Sequence, residues 1–155
     1  MPEFISNSIQ VHIAAKVKDG YKYLVLKRAS DLSVYPDLWQ VITGTIEGND
    51  TALQTAFREI DEETGLKPIK LWTVPYVAVF FDVRGDQIHS SPVFGALVNQ
   101  AKEVKLSEEH KDYKWCDYDE CIKILELPSH KEGTKIFCEY ILMNDREFMR
   151  DLMEQ

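Results

Sequence analysis

Apolar and polar residues alternate imperfectly over Ser8 to Val17 and more clearly over Tyr21 to Leu26, with Asp19-Gly20 between them as a turn signal. That pattern predicts a β-hairpin. Its second strand ends in Lys27-Arg28, which a strand period of two sends to opposite faces. Ala29 to Leu38, with its Ser, Asp and Pro36, reads as a surface loop, and Trp39 to Thr43 as a short strand running into Gly44. The period then changes. At about 100° per residue, Leu53, Ala56, Phe57, Ile60 and Thr64 fall on one narrow stripe, which predicts an amphipathic helix. Asn49 or Asp50 is its expected cap and Gly65 its expected left-handed stop. Leu71 to Val83, aromatic and β-branched, predicts a strand in which Pro75 implies a bulge or an edge position. Arg84-Gly85-Asp86 is a turn, and Ile88 to Asn99 returns as the partner strand. A short strand at Tyr113 to Cys116, a short capped helix over Asp117 to Leu125 and a break at Pro128 follow. From about Thr134, Phe137, Ile141, Phe148 and Leu152, with Tyr140 alongside, predict a longer closing helix. No repeat, low-complexity tract or linker interrupts residues 1–155, so one α/β domain with a mixed sheet flanked by helices is expected.

The net charge of -8 argues against a nucleic-acid polymer or a membrane surface as partner, since both select a basic field. A nucleotide stays possible, because a metal can screen its phosphates. Cys116, Cys121 and Cys138 form no Cys-x-x-Cys pair and cannot all pair internally, which favours a reducing compartment. His12, His89, His110 and His130 show no zinc spacing, alone or with the cysteines. With no apolar run near 20 residues and no leader pattern, the cytoplasm is the default location.

The informative chemistry lies on the helix. Glu59, Glu62 and Glu63 crowd one turn beside the apolar stripe. Two carboxylates about 4 Å apart repel by roughly 4 kcal/mol at an effective dielectric near 20, so a positive group belongs among them. A hard divalent cation fits: Mg²⁺ typically bridges carboxylates to substrate phosphates, and calcium or manganese could use the same oxygens. The bland alternative is a solvated acidic face on which Arg58 and Glu62 form an ordinary i, i+4 pair.

Spacing narrows the choice. Gly44, Arg58, Glu59, Ile60, Glu62, Glu63, Gly65 and Leu66 match the signature Gly, five residues, Glu, seven residues, Arg-Glu-apolar-any-Glu-Glu, one residue, Gly, apolar. In this the sequence resembles the Nudix hydrolases. Asp50 stands in the place of the first Glu, one methylene shorter, which puts its role toward metal or Arg58 in question. Thr43-Gly44 replaces a frequent Gly-Gly, and Gly48 comes one position early. The resemblance implies an α/β/α sandwich and cleavage of a nucleoside diphosphate linked to another group. It implies Mg²⁺, with Mn²⁺ a substitute, held chiefly by Glu59 and Glu63. Glu62 would complete the shell or hold Arg58, and Gly44 would let the backbone approach the metal.

Glu109-His110-x-x-Tyr113-Lys114-Trp115, together with Trp39-Gln40 and Thr43-Gly44, is similar to the subgroup acting on dATP or dihydroneopterin triphosphate. That likeness makes Glu109 a candidate extra ligand or general base, while His110 reads as structural. Arg28 could grip a phosphate through its planar fork, and Thr43 could donate its hydroxyl to substrate or cap backbone. The catalytic candidates are thus Glu59, Glu62, Glu109 and Arg58. Tyr76, Phe80 and Phe81 could stack a flat ligand, although core aromatics are the simpler reading, as a core or rim place is for Trp39. The implied function is hydrolysis of a nucleoside or pterin triphosphate to a monophosphate and pyrophosphate. The rivals are a hydrolase of a dinucleoside polyphosphate, an oxidised dNTP or a nucleotide sugar, and a silent Nudix module that senses a nucleotide.

Overall fold

The computed structural model describes residues 1–147 and 149–154. In chain order the elements are β1 (Glu3–Ile5), β2 (Ser8–Val17), β3 (Gly20–Arg28), β4 (Trp39–Gln40), β5 (Ile42–Thr45), α1 (Ala52–Thr64), β6 (Lys70–Asp82), β7 (Gln87–Val98), β8 (His110–Cys116), α2 (Tyr118–Ile124) and α3 (Pro128–Phe137). A π-helical turn, Cys138–Leu142, prolongs α3.

The strands form one mixed sheet with β2 at its centre. β2 pairs antiparallel with β3 and β5 and parallel with β7, while β6 lies antiparallel against β7 and β8 against β3. Alternation along β2 is imperfect for a physical reason: both of its faces are covered. Ile9, Val11, Ile13 and Ala15 join Ala56 and Ile60 of α1 in one core. Ala14 on the opposite face packs with Cys121 and Leu125 of the α2 segment and Phe137 of α3 in the other. The layers are therefore helix, sheet, helix. No helix among the described residues is long and apolar enough to cross a membrane.

Three expectations need correction. Neither Asn49 nor Asp50 caps α1; Thr51 does, its Oγ1 accepting from the Gln54 N–H at 3.1 Å while the Gln54 side chain accepts the Thr51 N–H at 2.8 Å. Such a reciprocal box satisfies two orphan donors at once, where Asp50 would satisfy one. Gly65 does end the helix with φ 68°. The closing helix starts at Pro128, well before Thr134, because a first helical position needs no N–H and Pro supplies the right φ. It has ended by Met143, and Leu152 instead hydrogen-bonds Leu71 of β6 through its backbone N–H at 2.6 Å. Phe148, assigned to that helix by its spacing, lies outside the described residues. Finally, Phe80 and Phe81 are exposed and belong to no core, while Tyr76 is partly buried against the α3 side. Pro75 sits where the β6–β7 register shifts, between Thr73 and Val77.

Candidate active site

α1 lies across β5 and β2 on its apolar stripe, which turns one flank of the helix toward the Gly44 loop. Glu59 and Glu63 on that flank are buried, at 7% and 4% exposure, whereas Glu62 one position away is open to solvent. Gly44 is packed so closely on Glu59 that a Cβ there would meet its Cγ at 2.3 Å. The backbone of β5 and the carboxylate are thus in contact, an approach only a residue without a side chain permits.

Arg58 holds this acidic turn together. Its Nη1 lies 2.9 Å from Glu59, 3.4 Å from Glu62 and 3.9 Å from Glu47, and its Nη2 donates to the Thr45 carbonyl at 2.9 Å. Partial burial disfavours the cation, but Glu47, Glu59 and Glu62 together outweigh it and push the guanidinium pKa up. The shortened Asp50 shows its effect here. Its carboxylate stops 3.8 Å from Arg58 Nε, beyond hydrogen-bond range, and Nε is the one enclosed polar side-chain atom without a partner among the described residues.

Glu63 is oriented from behind. His110, buried, places Nδ1 2.7 Å from Glu63 Oε2, and Ser107 donates its hydroxyl to the same oxygen at 2.7 Å. The amide nitrogen of Gln40 lies 2.8 Å from His110 Nε2, so Gln40 donates to His110 and His110 donates to Glu63. Burial alone would raise the Glu63 pKa, yet these hydrogen bonds hold it below the usual carboxylate range. Glu59 differs. Burial, reinforced by Glu63 and Glu62 and only partly opposed by Arg58, raises it to about 7. Two carboxylates one turn apart are therefore in opposite electrostatic situations.

The catalytic, metal and substrate-binding candidates Arg28, Thr43, Gly44, Arg58, Glu59, Glu62, Glu63 and Glu109 all line one cavity of about 840 Å³. Arg28 anchors the loop before β4, donating from Nε to the carbonyls of Val34 and Tyr35 at 3.1 and 3.2 Å. Glu109 is exposed at the rim. Trp39 is a rim aromatic beneath Lys27, whose Nζ sits 5.7 Å from the ring. Gln10, Leu127, Ser129 and His130 also line the cavity and were missed in the sequence, because no spacing links β2 with the start of α3. Phe80, which the sequence offered as a possible stacking residue, lines it too, whereas Tyr76 and Phe81 do not.

The donors suit a hard cation in kind: buried carboxylate oxygens, one raised to about 7 by burial and by its neighbouring carboxylates, beside a glycine whose backbone is in contact with them. Among the described residues no three His, Cys, Asp or Glu side chains already converge on one point, since Glu59 and Glu62 are turned to Arg58.

Residues 9–139 match the family model described as the NUDIX domain. The chain belongs to the Nudix family. A nucleoside triphosphatase named NudI from Escherichia coli is 30% identical over 106 residues, 64% of this chain and 75% of that protein. A NUDIX hydrolase structure from Listeria monocytogenes superposes with a TM-score of 0.77 at 25% identity, covering 93% of this chain and 97% of its own. The Escherichia coli dihydroneopterin triphosphate pyrophosphohydrolase gives 0.68 at 25% identity, covering 88% and 94%. This Nudix chain is an enzyme, a hydrolase acting on phosphoanhydrides, and the expected α/β sandwich is the one observed.

Proposed function

We propose that this Nudix hydrolase cleaves a nucleoside or pterin triphosphate to a monophosphate and pyrophosphate, with Mg²⁺ as its cation and Mn²⁺ a substitute. The observation carrying the reading is that one cavity is lined by Glu59, Glu62 and Glu63, by the guanidinium groups of Arg28 and Arg58, and by polar and apolar residues of β2, β6 and the start of α3. The similarity to a nucleoside triphosphatase and to a dihydroneopterin triphosphate pyrophosphohydrolase supports the choice of a triphosphate.

Phosphoanhydrides resist water because their anionic oxygens repel a nucleophile, so the site must neutralise and orient. Glu59 and Glu63, with Glu62 and the Gly44 backbone, would hold the cation. When bound, it would supply charge neutralisation and make water more acidic. Arg58 keeps Glu59 and Glu62 in place, and the Gln40–His110 pair fixes which Glu63 oxygen stays free for the cavity. Arg28 takes the substrate phosphates, with Thr43 donating its hydroxyl beside them. Glu109, at the rim and without an ion pair among the described residues, accepts the proton of the attacking water.

The test is a product-resolved screen of nucleoside, pterin and dinucleotide phosphates with and without Mg²⁺. Pyrophosphate and monophosphate from a triphosphate are expected. Orthophosphate as the first product would refute this regiochemistry, and tight binding without turnover would mark a silent nucleotide sensor.

A further inference from the structure

We propose that Gln10 and His130 read the edge of the substrate's heterocyclic ring, from the part of the cavity wall built by β2 and the start of α3. This rests on the triphosphate reading above and adds the part of the molecule that discriminates between substrates.

Gln10 Nε2 lies 3.1 Å from the Ser129 carbonyl oxygen, which can only accept, so that atom is the amide nitrogen. The same nitrogen lies 2.7 Å from His12 Nε2, which must then accept and carry no proton. The His12 proton is therefore on Nδ1, 3.2 Å from Thr134 Oγ1, and the Thr134 hydroxyl passes its own proton to the His130 carbonyl at 2.9 Å. Each donor has one acceptor along this chain. Burial, helped by His130, lowers the His12 pKa to about 3, so the imidazole stays neutral and keeps one ring nitrogen as an acceptor. Gly133 closes the arrangement, because a Cβ there would meet His12 Nε2 at 2.3 Å.

Two atoms are left over. With both Gln10 amide protons used, its Oε1 is a fixed acceptor. His130 Nδ1 accepts the Val41 N–H at 3.3 Å, so the remaining His130 proton sits on Nε2, a fixed donor. Burial lowers the His130 pKa to about 4, which keeps that ring neutral too. Neither atom has a hydrogen-bond partner among the described residues, and neither is enclosed, since that holds of Arg58 Nε alone. Gln10 and His130 are 3% and 2% exposed and both line the cavity. Their unpaired atoms thus open onto it. A buried donor and acceptor left dry are costly, so the occupant should offer both partners. Purine, pyrimidine and pterin rings carry a donor beside an acceptor on an amide or amidine edge, while Leu127, Ala78 and the exposed Phe80 supply apolar walls.

The experiment uses His130→Asn and Thr134→Val. Asparagine can keep an acceptor for the Val41 N–H but removes the Nε2 donor. Valine leaves both cavity atoms in place and frees Gln10 to turn over. Dissociation constants of nucleoside and pterin monophosphates and of inorganic tripolyphosphate are measured by calorimetry. The kcat/KM values of the four dNTPs and a pterin triphosphate are measured alongside. His130→Asn is expected to weaken the best ring-bearing ligand about tenfold and leave tripolyphosphate unchanged. Thr134→Val is expected to narrow the ratio between best and worst ring. Equal loss for tripolyphosphate, or no loss for any ring-bearing ligand, would overturn the proposal. If the wild type turns over none of the triphosphates, the triphosphate reading fails, and the monophosphate titrations alone decide whether the ring is read here.

Discussion

Replacing Gly44 with alanine separates the site from the fold. The Gly44 backbone does not occupy the left-handed region, so alanine meets no conformational penalty. Its Cβ, however, would lie 2.3 Å from Glu59 Cγ, 2.4 Å from Cδ and 2.6 Å from Oε1. Non-bonded carbons sit about 3.5 to 4.0 Å apart, so the Glu59 side chain must retreat by roughly 1 Å or more. That breaks its 2.9 Å contact with Arg58, and the three atoms nearest the new Cβ all belong to Glu59. A charge-assisted hydrogen bond contributes about 1.5 to 3 kcal/mol, and release of Glu59 from burial returns part of it, so stability should fall by no more than about 2 kcal/mol. Activity should suffer far more, since a 1 Å misplacement at a reacting centre can cost about a hundredfold. Urea denaturation and Mg²⁺-dependent pyrophosphate release measure the two effects. A Gly44→Ala protein with a cooperative transition and kcat/KM within threefold of wild type would refute the reasoning, because Glu59 could then be moved without consequence.

Other consequences are equally specific. Asp50→Glu should bring a carboxylate within reach of the orphaned Arg58 Nε and stabilise the fold by about 1 kcal/mol in denaturant titrations; an unchanged midpoint would show that Nε costs nothing as it stands. Glu59, raised by burial to about 7 from an ordinary 4.5, contributes stability that is full below pH 4.5 and lost as pH rises through 7. The loss is of order 3 kcal/mol in chelator, and saturating Mg²⁺ should suppress it; identical curves with and without Mg²⁺ would contradict this. His12 and His130 act oppositely, since their folded pKa values, about 3 and about 4, lie below the ordinary 6.5. Their contribution is present above pH 6.5 and declines as pH falls, by up to about 1.4 kcal/mol per unit for each, so His130→Asn should flatten the acid limb of the stability profile.

Much of this was legible because fixed spacing carries it. The run from Gly44 to Leu66 placed the acidic turn, and the helical period correctly turned Glu59 and Glu63 toward one flank. That period could not distinguish them from Glu62, whose exposure depends on how α1 sits against β5. The Thr51 cap was readable, since Thr-Ala-Leu-Gln is a capping-box pattern, but Asp50 in a signature position drew attention away from it. The wall that Gln10 and His130 give the cavity was not readable from spacing. Gln10 and His12 alternate with Ile9, Val11 and Ile13 as residues of a solvated strand face would. Only α3, arriving from more than a hundred residues away, covers that face and turns them into buried groups. His110 was legible as structural but not as the residue that orients Glu63.

The central claim is that Glu63, aimed by His110 and Ser107 into the cavity, holds the cation on which turnover depends. Glu63→Gln removes one charge and changes almost no volume, and it can still accept from His110 and Ser107. Pyrophosphate release from the best triphosphate at saturating Mg²⁺, compared with wild type at matched folding, is the direct measurement. Loss of most activity with an unchanged cooperative unfolding transition is expected. Near-normal turnover in a folded Glu63→Gln protein would contradict it.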